Sequence, residues 1–243
     1  MTDFVQLWVY LSSTPLFGLT ATLLTYLTAQ AFYARMQQAP WANPVLWSVV
    51  ALAGALTATR TAYPTYFSGA QFIHFLLGPA VVALAWPLWQ RRSALRARGM
   101  RFVVAALVGG TAAAGCAVVL SWALGLPHEV VLSLAPKSVT APVAMGVAEK
   151  VGGIPALAAV FAVVTGLVGA LSGKYLFDAM GITTDGNGRI VRGFALGTAS
   201  HGIGAARALQ VNAEAGAWAA LALGLQAVLA SVLIPLLAAF LSR

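Results

Sequence analysis

Three observations predict an all-α polytopic membrane protein. Of the 243 residues, 60% are hydrophobic and only 8% charged, where a soluble domain carries roughly 25% charged residues. Mean hydropathy is +0.86. The few charges separate long charge-free runs instead of covering a surface. At about 20 residues per crossing, the chain accommodates about seven to eight transmembrane segments. They form one integral membrane domain over 1–243, leaving no length for a separate soluble domain.

The charge-free runs set the elements in order. Phe4–Tyr10 is a short apolar lead-in before Pro15, and a first span covers about 16–34, closed by Arg35. Trp41 marks an interfacial loop that opens a second span, about 44–59, closed by Arg60. Thr61–Gly69 is a Tyr/Pro/Gly connector, and a third span, about 70–90, holds His74, Gly78-Pro79 and Pro87. Arg91, Arg92, Arg96, Arg98 and Arg101 then crowd one short loop. A fourth span, about 102–125, carries Gly109-Gly110, Ala113 and Gly115, small residues that let backbones approach closely.

The segment about 128–150 is interrupted: Pro136 and Pro142 flank Lys137, Ser138 and Thr140, with no other charge between Glu129 and Glu149. A sixth span, about 154–177, follows Gly152-Gly153-Ile154-Pro155, and Asp178 to Arg192 is the most polar loop, with a turn at Asp185-Gly186-Asn187-Gly188. A seventh, about 193–210, contains Gly197 through Gly204; the last runs about 216–241 with Pro235 late in it.

Net charge +8 and a pI near 10.3 do not signal nucleic acid, because the arginines cluster as the positive-inside rule expects of a cytoplasmic loop. The lone Cys116 excludes an intrachain disulfide, and His74, His128, Glu129, Asp178 and Glu214 are not spaced as metal ligands. Neither metal nor cofactor is expected. Asp3 and the absence of a basic n-region argue against a cleaved signal peptide. Orientation depends on segment 128–150. If it crosses once, Lys174, Arg189 and Arg192 lie opposite the arginine loop; if it enters and returns, both basic loops and Arg243 share the inner side. Leu76–Val82, with its Gly78-Pro79 break, faintly echoes Leu134–Val139, as expected of paired interrupted helices at a repeat interface.

Two constellations carry the candidate chemistry. A lysine at the bilayer centre costs roughly 2.5–3.5 kcal/mol, so Lys137 requires water, freed carbonyls or an anionic ligand. One reading makes it the anchor for a small carboxylate, with Ser138 and Thr140 donating hydrogen bonds and the next helix start adding amides. The other has it snorkel to an interface. In the second constellation Thr198 and His201 share a helix face, beside Ser200. Arg207 lies six residues beyond His201, about 120° round an unbroken helix. It joins them only if Gly202 and Gly204 interrupt that helix. His201 reads either as a substrate or proton-coupling group or as a core histidine bonded to a carbonyl. Glu149 and Lys150 read as a solvated helix end.

Enzyme signatures fail. No Lys-Ser/Thr follows the glycines of 197–204, Gly202-Ile203-Gly204 lacks the third glycine of a dinucleotide fingerprint, and no carboxylate lies near Ser200-His201 in sequence.

Pro136-Lys137-Ser138-Val139-Thr140-Ala141-Pro142, Gly152-Gly153-Ile154-Pro155-Ala156-Leu157 and Ala195 through Leu209, with Phe75 through Ala85 before them, resemble the LrgB/CidB family in order and spacing, over about 16–241. The departures are Ala141 and Ala205, where that family more often has threonine. The resemblance implies a multi-pass protein of the bacterial inner membrane and not an enzyme. It implies a carrier of small monocarboxylates of the glycolate, glycerate or pyruvate type. The rival implication is a holin/antiholin-like regulator of murein hydrolase export and lysis acting by oligomerisation. A small carboxylate, a smaller LrgA/CidA-like membrane partner and further copies of the chain are the implied partners.

Overall fold

The computed structural model describes residues 15–241 apart from Leu84 and Arg91. The lead-in Phe4–Tyr10, Asp3, Arg91 and Arg243 lie outside the described residues. Among the described residues the regular structure is entirely helical. The chain divides into two compact units, Met1–Val82 and Ala83–Arg243.

The first unit holds α1 (Pro15–Arg35), a 3-10 turn (Pro40–Ala42), α2 (Pro44–Ala58) and most of α3 (Tyr63–Ala83). Asn43 starts α2: its Oδ1 accepts from the amides of Val45 (2.9 Å) and Leu46 (3.2 Å), and Pro44 occupies the first turn, where no amide is missed. Phe32 packs edge-on against Trp41 and Trp47 at 5.8 and 5.9 Å. Gly18 lets α1 meet the Tyr66 carbonyl, and Thr22 Oγ1 bonds the Tyr66 hydroxyl at 2.7 Å. The break expected at Gly78-Pro79 is not there: α3 continues through Pro79 to Ala83. Proline removes one ladder bond, a loss that apolar membrane helices tolerate.

The second unit comprises α4 (Ala85–Gln90), α5 (Arg92–Ala123), α6 (His128–Leu134), α7 (Ala141–Val151), α8 (Pro155–Ala179), α9 (Gly186–Val211) and α10 (Ala213–Leu241). The arginines expected in a loop form the opening turns of α5, since Arg and Ala are strong helix formers. Three stretches are long and apolar enough to cross a membrane: Gly99–Ala123, Pro155–Ala179 and Ala213–Phe240; Pro44–Ala58 is a shorter apolar helix. On α8 the faces divide cleanly. Val160, Val164 and Val168 are half or more exposed, while Ala158, Ala162, Gly166, Ala170 and Gly173 are buried. Apolar side chains outward and small residues inward is the pattern of a helix that faces lipid on one side and close-packed helices on the other.

Two segments fold back on themselves. The Ile154 amide donates to Ser133 Oγ at 2.7 Å although 21 residues separate them. An unbroken helix of that length would rise about 30 Å. The chain therefore leaves Ser133 and has returned to it when α8 begins, with α7 as the returning limb. Ala144 and Ala148 of α7 pack on Ala158 and Ala162 of α8, so the two run antiparallel and the tip, Thr140-Ala141, lies level with the middle of α8.

Helix α9 behaves likewise from the other end. Its backbone leaves helical geometry at Ser200 (φ −124°, ψ 16°) and His201 (φ 40°, ψ −132°). Gly204 is so close to Leu196 that a Cβ would stand 2.6 Å from the Leu196 carbonyl oxygen, and Arg189 pairs with Glu214 at 3.6 Å. The first limb, before Ser200, runs beside α8: Gly173 faces Leu196, and Gly169 faces Ser200. The second limb returns, and Asn212 starts α10 by accepting from the amides of Glu214 (2.9 Å) and Ala215 (3.1 Å). Gly193 and Gly197 seat the first limb against the carbonyls of Ala215 and Ala219. Asp178, at the end of α8, is tied to Arg192 at 2.7 Å and to Lys174 at 3.3 Å, which fixes where the first limb starts.

A cysteine pair tests the first fold-back. A Cβ at Gly153 stands 3.0 Å from Ser133 Oγ, a separation suited to a disulfide. In a Cys116→Ser background, Ser133→Cys/Gly153→Cys should lose both thiols to mild oxidation, read as loss of labelling by a maleimide polymer. Full labelling would mean that the segment runs straight.

Candidate functional site

The tips of the two fold-backs meet. A methyl group on Gly202 would lie 3.7 Å from Thr140 Cγ2, ordinary van der Waals contact. Sixty-odd residues of sequence thus close into one polar focus inside apolar helices. Thr140 is the N-cap of α7, its side chain makes no capping bond, and its Oγ1 is buried without a hydrogen-bond partner. Gly202 opens the second limb of α9. Two helix N-termini, each with unpaired amides and the positive end of its dipole, therefore face one another.

Each residue singled out in the sequence has a defined place. Lys137 is half-buried on the linker 135–140, with Nζ donating to Ser138 Oγ at 3.4 Å; among the described residues it forms no ion pair. The linker is a run of tight turns (Lys137 amide to Leu134 carbonyl, 3.1 Å; Val139 amide to Pro136 carbonyl, 3.2 Å). Ser138 and Pro136 are buried. Pro142 starts α7 within its first turn instead of interrupting a helix. Thr198, Ser200, His201 and Arg207 are all buried, the first with an unpartnered Oγ1. Glu149 and Lys150 are exposed at the far end of α7. Gly78 and Pro79 belong to the first unit.

The interruption of α9 sits one residue before the glycines expected to cause it. His201 adopts the positive φ, and Gly202 and Gly204 instead permit close approach, to Thr140 and to Leu196. What holds His201 there is α8. Its Nε2 lies 2.7 Å from the Ala162 carbonyl, and because a carbonyl only accepts, Nε2 carries the proton. Gly166 and Gly169 make room: a Cβ at 166 would stand 2.8 Å from His201 Cε1, and one at 169 would fall on Ser200 Oγ.

Sequence reasoning missed Gly166, Gly169 and Ala162, whose small-residue spacing in α8 was the available signal. It also missed Gln226. This amide of α10 is buried against Gly110 of α5, with Oε1 unpartnered, and is conspicuous as a polar residue in an apolar helix. Among the described residues no group of three His, Cys, Asp or Glu is placed to hold a metal ion. The focus offers hydroxyls and helix amides, with the Lys137 ammonium on the adjoining linker bonded to Ser138; such groups bind an anion without performing covalent chemistry on it.

Helices with lipid-facing apolar stripes around such a focus define an integral, all-helical membrane protein. The chain belongs to the LrgB-like family, whose family model matches residues 22–240. It is 33% identical to the Bacillus subtilis protein YxaC over 88% of this chain and 91% of that one. It is 30% identical to the "Holin-like protein CidB" of Staphylococcus epidermidis over 90% and 96%, and 31% identical to that of Staphylococcus aureus over 89% and 95%. No solved structure matches it.

The side-chain-free face of α8 is directly testable. Gly166→Ala and Gly169→Ala should each destabilise the protein by about 1–3 kcal/mol, the usual cost of overpacking, seen as a lowered melting temperature in detergent. Gly146→Ala, whose Cβ meets nothing within 4 Å, should leave it unchanged.

Proposed function

We propose that this protein is a carrier of small monocarboxylates, of the glycolate, glycerate or pyruvate type, in the bacterial inner membrane, and not an enzyme. The contact between Thr140 and Gly202 carries this reading, because it brings two helix N-termini to one point, three residues along the linker from Lys137, which forms no ion pair among the described residues. A carboxylate placed there meets Lys137 and Ser138 from one fold-back and Thr140 with the α7 amides at its tip. Thr198, Ser200, His201 and Arg207 complete the other side.

In this reading 1–243 is one integral membrane domain. The fold-backs are re-entrant hairpins that reach mid-membrane from opposite faces, while α5, α8 and α10 cross it. Arg92, Arg96 and Arg101 at the start of α5 then share a face with Lys174, Arg189 and Arg192, as expected of the cytoplasmic side. Broken elements of this kind at a central site let one bundle rock against another to expose the ligand alternately. A smaller LrgA/CidA-like partner and self-association accompany the proposal.

The holin-like name of the staphylococcal relatives favours a second reading: a regulator of murein hydrolase export and lysis that works by oligomerisation. Uptake of labelled glycolate and pyruvate into proteoliposomes separates the two. The carrier shows saturable uptake that Lys137→Ala lowers at least tenfold. Solute-blind leakage insensitive to that substitution identifies the regulator.

A further inference from the structure

A cavity of about 290 Å³ opens beside the Lys137 linker, between α5, the limb Leu132–Val139 and α10. Its walls are almost wholly aliphatic, including Val118, Leu132, Leu233 and Ile234. Two buried polar side chains line it. Ser138, 5% exposed, accepts from Lys137 Nζ, and Gln226, 6% exposed, holds an amide oxygen with no hydrogen-bond partner. Cavity and ammonium are thus joined through one serine.

Two- and three-carbon acids leave most of this space empty. An engineered apolar cavity of about 150 Å³ already accepts a six-carbon ring. An unpartnered buried acceptor is costly until a donor reaches it, at about 1–3 kcal/mol. We infer that this cavity receives the aliphatic tail of a hydroxylated monocarboxylate of about four to six carbons, its carboxylate at Lys137 and Ser138 and its hydroxyl donating to Gln226 Oε1 once that side chain turns toward the cavity. The ligand class rests on the carboxylate reading above and narrows it: glycolate and pyruvate become the smallest acids accepted, not the preferred ones.

The test is equilibrium binding to the full chain in lipid nanodiscs, alongside uptake by proteoliposomes. The probes are glycolate, 2-hydroxybutanoate, 2-hydroxy-4-methylpentanoate, 4-methylpentanoate and straight-chain acids of eight to twelve carbons. Each buried methylene is worth up to about fourfold. 2-Hydroxy-4-methylpentanoate should therefore bind at least tenfold tighter than glycolate, and several-fold tighter than 4-methylpentanoate.

Gly115 lines the cavity and a Cβ there meets nothing within 4 Å, so Gly115→Leu fills the space without a clash at its base. It should cost the six-carbon hydroxy acid at least tenfold in affinity. Gln226→Leu should remove the hydroxyl preference, with circular dichroism confirming that both variants fold. Equal affinity along the series overturns the inference, and glycolate uptake would then leave the carrier reading standing. Affinity that keeps rising to twelve carbons and ignores Lys137→Ala also overturns it, marking a lipid groove. Tight, Gly115→Leu-sensitive binding without any uptake supports the cavity assignment while sinking the carrier.

Discussion

A bare strip of backbone on α8 is the constraint on which the rest depends. At Gly166 and Gly169 the helix presents no side chain, and the space left is filled by the imidazole of His201 and the hydroxymethyl of Ser200. That is the only place along α8 where the first limb of α9 ends and the chain reverses. The reversal carries a local cost, since a non-glycine residue at φ 40° is strained by about 1–3 kcal/mol. The bond from His201 Nε2 to the Ala162 carbonyl contributes roughly 0.5–1.5 kcal/mol. The two are of one magnitude, so the bond fixes position more than it adds stability. Stability comes from the close packing of glycines and alanines on both sides of α9.

Backbone geometry at depth follows from the same packing. A helix that stops inside an apolar bundle leaves amides that neither water nor lipid satisfies. Here the interrupted ends do not face lipid: Val139, Ser138, Thr198, Ser200 and His201 are all buried. The fold-backs touch at Thr140 and Gly202, and the Thr140 and Thr198 hydroxyl oxygens are both buried without a hydrogen-bond partner. The electrostatics there are set by fixed amides and helix ends, which need no reorganisation to meet a negative charge.

Much of this was legible in the residues, for reasons that differ by element. Charge-free runs located α5, α8 and α10 closely, because hydrocarbon length dictates span length. Paired prolines around Lys137 marked the linker, because proline removes backbone donors. The α9 reversal was legible only as a region. Glycine at 202 and 204 suggested conformational freedom, whereas the structure uses those positions for close approach and gives the positive φ to His201. That assignment depends on α8, 35 to 39 residues earlier in the chain, and no local pattern reports it. Pro79 misled in the opposite direction: a proline that breaks a short soluble helix merely interrupts the ladder of a long apolar one. Gln226 stands out as a polar residue in an apolar helix, but its partner surface is Gly110, a residue with no side chain to advertise the contact.

The echo noticed between Leu76–Val82 and Leu134–Val139 therefore has the wrong counterpart. The structural partner of the Lys137 fold-back is the Ser200 fold-back, although their sequences share little beyond hydroxyls and glycines. Order along the chain makes the relation plain: helix α5, a fold-back, helix α8, a fold-back, helix α10. α8 packs antiparallel to α7 and to the first limb of α9, so the two fold-backs approach its midpoint from its opposite ends. Read forward from α5 or backward from α10, the sequence of elements is the same, with direction inverted. The two tips meet at one level because the limbs match α8 in length: α7 measured from one end, and the stretch of α9 before Ser200 measured from the other, together span it. The meeting of Thr140 with Gly202 is thus a consequence of topology and limb length together. What the sequence adds is the threonine at that contact and, on the adjoining linker, an ammonium bonded to Ser138.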